Sequence, residues 1–293
     1  MAAAAFDAQG RLWVSTADYS DSGTDAVYLV SAGSASTAVI TGLHTPLGLL
    51  WSGDTLYLAS KENVSAYDGF DGTTFATTRT VLTLPSGVGE VNGLVLGPDG
   101  RIRLGISSPC DHCTPTSAYS GAVLSFLPDG SDLKVEAAHI RAPIDFAYVP
   151  GTSDLLVTMN QRDDLGDATP GDWLTQVEDG QDWNFPDCYG QGGTACAHAP
   201  SPIATLDAHA AVSGLAVVSG QLGSSVGTAA IVAEWATGKV QQVALTRDGT
   251  SYAGSVSTLL TGLSNPVPVV LGPDGALYLG DWTSGMIYRV TAR

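Results

Sequence analysis

The chain has 293 residues, of which 44% are hydrophobic and 14% charged, so a large core can be buried. Its 29 acidic against 12 basic residues give a formal net charge of -17, which argues against nucleic acid and anionic membrane surfaces as partners, because both need a basic face. No apolar run approaches the roughly 18 residues of a membrane span.

The Met1-Ala2-Ala3-Ala4-Ala5 start is too short for a signal peptide and lacks basic residues. The expectation is a secreted or periplasmic protein whose leader lies outside this sequence. A strand-turn-strand phrase then recurs along the chain. It is fullest in Val91-Asn92-Gly93-Leu94-Val95-Leu96-Gly97-Pro98-Asp99-Gly100-Arg101-Ile102 and in Val267–Leu279, and a worn copy runs from Ala5 to Val14. In its turn, proline presets φ, aspartate bonds its own backbone and glycine takes the positive-φ position.

Six hairpins fit this template, with second strands at Leu12-Trp13-Val14, Leu56-Tyr57-Leu58, Ile102-Arg103-Leu104, Leu155-Leu156-Val157, Ala230-Ile231-Val232 and Leu277-Tyr278-Leu279. Most recur after roughly 45 to 50 residues, the period of a propeller blade. The interval between the fourth and fifth is longer by about 25 to 30 residues, beyond that period. The expected fold is all-β: one six-bladed β-propeller domain over 1–293, with mostly four-stranded antiparallel blades and a loop insertion in blade four at about 160–200. The last unit shows three strands, ending at Met286-Ile287-Tyr288-Arg289-Val290. Trp13, Tyr57, Tyr278 and Tyr288 read as core.

The four cysteines form close pairs, Cys110/Cys113 and Cys188/Cys196, in loop-rich sequence. Two local disulfides are expected, which suits export. Zinc held by Cys110, His112 and Cys113 with a distant ligand is the rival.

Residues that enter the inner strands should gather at one channel mouth. These are His44, Thr45, Glu90, Asn92, Arg141, Asp145, His209, Ser213 and Asn265. A second polar stretch, from Thr158 to Trp173, offers hard oxygen ligands suited to Ca²⁺, or else a cluster of Asp/Gly turns.

From Ile140-Arg141-Ala142-Pro143 through Asn160-Gln161-Arg162-Asp163 and Asp172-Trp173 to Trp183-Asn184-Phe185-Pro186-Asp187-Cys188-Tyr189-Gly190, the chain resembles the soluble glucose/sorbosone dehydrogenases. Asn92-Gly93-Leu94 and the Gly105–Cys113 run agree. The resemblance implies a six-bladed propeller carrying pyrroloquinoline quinone (PQQ) and Ca²⁺ over the channel mouth. Arg141, Asn160, Gln161, Asp172 and Asn265 would then meet the cofactor. Glu90, Arg141, His44 and His209 are the catalytic candidates. The sequence departs from the family in three places. Gly87-Val88-Gly89-Glu90-Val91 holds no histidine, Ala142 stands after the arginine, and Asn265-Pro266-Val267-Pro268 holds no arginine pair.

Three readings follow. The first is a PQQ- and Ca²⁺-dependent dehydrogenase that oxidises a sugar or aldehyde by hydride transfer. The second is a lactonase-like hydrolase with one metal ion, for which Asn92, Asn160, Asp163, Glu234 and Asp281 are the candidate ligands. The third is a non-catalytic binding propeller that has lost the cofactor. Each takes a small molecule, and a monomer is expected.

Overall fold

The computed structural model describes residues 1–33 and 35–292. Six antiparallel blades follow one another in chain order. Blade one is β1 (Ala4–Phe6), β2 (Leu12–Ser15), β3 (Asp25–Leu29) and β4 (Thr37–Leu43). Blade two is β5 (Gly48–Ser52), β6 (Thr55–Ser60), β7 (Asn63–Phe70) and β8 (Phe75–Thr83). Blade three is β9 (Val91–Leu96), β10 (Ile102–Ile106), β11 (Ala122–Phe126) and β12 (Lys134–Ala138). Blade four runs β13 (Ala142–Tyr148), β14 (Leu155–Asn160), β15 (Gly171–Val177) and, past the two-residue strand β16 (Gln181–Asp182), β17 (Ala204–Ala208). Blade five is β18 (Val212–Ser219), β19 (Thr228–Glu234), β20 (Lys239–Asp248) and β21 (Ser251–Leu260). Blade six is β22 (Pro266–Leu271), β23 (Leu277–Asp281) and β24 (Ile287–Val290).

The turn chemistry is as the repeat implied. Asp99 accepts the Arg101 amide at 3.2 Å and Asp274 the Ala276 amide at 3.1 Å, while Gly100 and Gly275 take φ of +78° and +75°. All six expected second strands are present, and their apolar side chains pack between neighbouring blades. Trp13, Leu56, Leu104, Leu156, Ile231 and Leu277 are each fully buried.

Two features go beyond the repeat. The interval 160–200 is not one loop, because β15 interrupts it. The remainder, between β15 and β17, sends β16 to pair in parallel with β12, so blade three gains a fifth strand. Blade six has three strands among the described residues. Tyr288, expected in the core, is therefore 37% exposed on the edge strand β24, which pairs with β23 and has no fourth strand among the described residues on its outer side.

The inner strands of blades three to six share a β-bulge at the same end. The extra residues are Asn92-Gly93, Ile144-Asp145, Ser213-Gly214 and Val267-Pro268. A bulge re-aims side chains. Here it turns one residue of each pair to the channel mouth and the next into the channel. Glycine is needed in the inner layer: a Cβ on Gly214 would run into the Val267 carbonyl, and one on Gly48 into the Asn92 carbonyl.

Candidate functional site

One residue per blade floors the mouth: Ala2, Leu47, Asn92, Ile144, Ser213 and Val267. Four of the six are apolar, so the floor is not the polar ring that the strand entries suggested. Below it, Ala3, Gly48, Gly93, Asp145, Gly214 and Pro268 narrow the channel to about 50 Å³. Asp145 is the one charge in that layer. Its Oδ2 accepts the Leu215 amide at 2.8 Å, and burial pushes its carboxyl up to about 7.

Two cavities lie above the floor. One, of about 550 Å³, is walled by Lys61, Glu90, Ser107, Asp111, Arg141 and Asn160, among others. The other, of about 360 Å³, rises from the apolar ring between Tyr19, Trp235 and Trp282. They share Tyr19, Glu90, Ile144 and Asn160. Both volumes suit a small molecule.

Glu90 sits at this junction. It is open to the cleft, yet protein crowds it on the concave side, and that desolvation raises its carboxyl above the usual range. The Arg141 charge and the neighbouring Tyr19 hydroxyl oppose the rise without cancelling it. Tyr19 has a positive φ of 55° and lies over the mouth, stacked on Trp282 with ring centroids 5.6 Å apart. Desolvation and the Glu90 charge raise its phenol. Arg141 Nη2 donates to Asp111 Oδ1 at 2.7 Å. Asp111 lies inside the Cys110–Cys113 disulfide loop and also accepts the Asp163 and Asp164 amides at 3.0 and 2.9 Å. Asn92 Nδ2 donates to Ser107 Oγ and to the Pro143 carbonyl, both at 2.9 Å, which fixes that amide on the floor. Asn160 Oδ1 is buried and accepts no hydrogen bond from the described residues.

Glu90, Arg141, Asn92 and Asn160 therefore line one mouth, with Ser213 in its floor and Thr45 in the wall of the larger cavity, and the histidines and the remaining cofactor and metal candidates lie elsewhere. His44 Nδ1 is 2.8 Å from Asp21, in a flanking cleft that also holds Lys61, which pairs with the same aspartate. His209 is on the rim, with Nδ1 2.9 Å from Asp163 and Nε2 2.8 Å from the Gly166 carbonyl, and these two acceptors raise its imidazole, the carbonyl more. Gln161 and Asp172 are buried together. Asp172 accepts the Gln161 amide at 2.7 Å and the Val212 amide at 3.2 Å, which joins blade four to the entry of blade five, and burial pushes its carboxyl up to about 6. Asp25 does the same between blades one and two, accepting the Thr45 amide at 3.1 Å.

The five candidate metal ligands are not one group. Glu234, fully buried, accepts from Thr237, Gln241 and the Asp207 amide. Asp281, also fully buried, accepts the Ser264, Asn265 and Ser284 amides. Asp163 is held in the His209 and Arg141 network. Among the described residues, no three His, Cys, Asp or Glu side chains converge as a metal site. The cysteines are joined as Cys110–Cys113 and Cys188–Cys196, which removes the thiolates that zinc would need.

Asn265 has an architectural part. Its Nδ2 donates to the Trp235 carbonyl at 3.0 Å, and its own carbonyl accepts the Trp282 amide at 2.8 Å, so it holds both tryptophans of the apolar cavity. Those tryptophans, with Tyr19 and Asp111, were not among the sequence candidates. Each lies in a loop outside the repeat, and only the Trp-Ala-Thr-Gly and Asp-Trp-Thr-Ser contexts directly after the second strands of blades five and six could have marked two of them.

A family model described as the SMP-30/Gluconolactonase/LRE-like region matches residues 3–159, more than half of the chain. The comparison with curated proteins found no match. Among solved structures, the PQQ-bound aldose sugar dehydrogenase of Streptomyces coelicolor is 19% identical, with 100% of this chain and 92% of that one covered and a TM-score of 0.72. The soluble aldose sugar dehydrogenase of Escherichia coli, in its apo form, is 16% identical, with 100% and 98% covered and a TM-score of 0.73. The Trichoderma reesei enzyme of carbohydrate-active family AA12 is 18% identical, with 98% and 92% covered and a TM-score of 0.75. At these identities the likeness is one of fold.

Proposed function

The chain belongs to the SMP-30/Gluconolactonase/LRE-like family, and we propose that it is an exported oxidoreductase acting on a small sugar or sugar aldehyde bound at the channel mouth. The observation that carries this reading is Glu90, desolvated at the junction of two cavities and flanked by Tyr19 and Arg141. A carboxylate whose pKa is raised is a better proton acceptor than a free one. Glu90 would take the hydroxyl proton from the carbon being oxidised. Arg141 and the Asn92 and Asn160 amides would orient the neighbouring hydroxyls. The whole-chain likeness to two aldose sugar dehydrogenases supports the sugar class. Two disulfides support export, and no helix among the described residues is long and apolar enough to cross a membrane.

PQQ and Ca²⁺, which the resemblance brings with it, do not suit the residues present. A tricarboxylate needs a cationic cradle. The larger cavity sets Asp21, Glu62, Glu90 and Asp111 against Lys61 and Arg141, and both cations are already paired with aspartates. Among the described residues, three acidic ligands for calcium do not converge there either. The C–H bond of the carbon being oxidised would therefore break with its hydride passing to an oxidant from solution, such as a soluble quinone or dye.

Lactone hydrolysis is the second reading, favoured by the family and by the same raised carboxyl. Glu90 would accept a proton from water as the water oxygen bonds to the carbonyl carbon, and the ring oxygen would leave with that proton. Dye reduction over a panel of aldoses and aldehydes, with and without added PQQ and Ca²⁺, tests the first reading, and lactone opening in a pH-stat tests the second. Turnover abolished by Glu90→Gln supports whichever reaction is seen. No dye reduction across the panel sinks the oxidoreductase.

A further inference from the structure

We infer that the ligand of this mouth has two parts: a polar sugar-like part in the 550 Å³ cavity and a planar apolar part, an aryl group, in the 360 Å³ cavity beside it. The inference rests on the sugar reading above and adds the chemistry of the second part. The smaller cavity is floored by Ala2, Leu47, Ile144 and Val267, with Asn92 and Ser213 between them, and walled by Trp235, Trp282 and Tyr19. Aromatic walls over a mostly aliphatic floor favour a flat apolar group over a carboxylate or a hydrated sugar. Trp235 is 40% exposed and Tyr19 52% exposed, unusual for large rings in a chain whose other aromatic residues mostly pack between blades.

These walls are held in place. Asn265 bonds the backbones of both tryptophans, the Trp235 amide donates to the Ala211 carbonyl at 3.2 Å, and Trp282 stacks on Tyr19. A preorganised slot loses little entropy when it is filled. Asn160 lines both cavities, and its buried Oδ1, with no donor among the described residues, adds a second observation. A buried acceptor without a partner is costly, and a ligand hydroxyl at the junction would supply the missing donor. The bond joining the two parts would then lie beside Glu90.

Calorimetric titration of phenyl and methyl glycosides of glucose, galactose, mannose and xylose, together with phenol and the free sugars, tests the inference. The phenyl form of at least one sugar is expected to bind about tenfold or more tightly than its methyl form, since more apolar area is buried. That preference should fall several-fold in Trp235→Ala, a surface change whose melting curve checks folding, and to a smaller extent in Asn265→Ala, which removes the side-chain bond to the Trp235 carbonyl and keeps the backbone bond to Trp282. Equal affinity for phenyl and methyl forms would overturn the two-part ligand and leave the sugar reading standing. A preference unchanged in Trp235→Ala would overturn the assignment of the slot. Phenol binding without any sugar binding would overturn the sugar reading and keep the slot. No binding by any of these probes would overturn both.

Discussion

Glu90 at the mouth and Asp172 at the seam between blades four and five are both carboxyls raised by desolvation. Their surroundings differ. Asp172 is 3% exposed and bonds two backbone amides from separate blades. The Glu90 carboxylate accepts no backbone amide from the described residues, faces two cavities and has a phenol and a guanidinium as neighbours. A raised carboxyl alone therefore does not mark chemistry in this fold. What separates the two is whether the oxygens are already satisfied by the fold or left for something that enters.

The largest effect that sharpens this contrast is at the mouth. Glu90→Gln should lower turnover by about 10²-fold or more while the thermal midpoint stays nearly unchanged, read by dye reduction or pH-stat alongside a melting curve. Asp172→Ala should do the reverse. Two buried amides lose their acceptor, which costs about 2–4 kcal/mol and appears as a lower unfolding midpoint. Turnover per folded molecule should hold.

A smaller effect is the pH dependence of stability. Asp145 and Asp172 have folded-state carboxyls raised from 3.8 to about 7 and about 6. The folded protein holds their protons more tightly than the unfolded chain does, so stability should fall as pH rises through that window. Asp145→Asn should flatten the slope in a melting series from pH 4 to pH 7. The smallest effect is at the outer edge. Amides of β24, which face no fourth strand, should exchange with deuterium faster than those of β23, which is paired on both sides.

The repeat was legible because each second strand is an apolar run following a turn with its own chemistry, and six copies at blade spacing leave one architecture. Glu90, Asn92 and Arg141 were legible because they precede inner strands, which must converge at one mouth. Asp172, Glu234 and Asp281 carry ligand chemistry in the sequence, but in space their oxygens are taken by protein donors, backbone amides for Asp172 and Asp281 and two side chains with one amide for Glu234. For Asp172 and Glu234 that depends on contacts between blades, which no local pattern encodes. Tyr19, Trp235 and Trp282 come from three blades and lie outside the hairpin template, so only the closed ring brings them together. Tyr288 reads as core from its strand pattern and is exposed because its blade stops at three strands.

The titration of the Glu90 carboxyl carbon, followed by NMR in glutamate-labelled protein with Glu90→Gln as the assignment control, tests the central claim most directly. A midpoint above the ordinary glutamate range of about 4.3, which moves when a bound sugar or lactone displaces water from the mouth, is the expected result. A midpoint at the ordinary value that is indifferent to every sugar and lactone tried would contradict it.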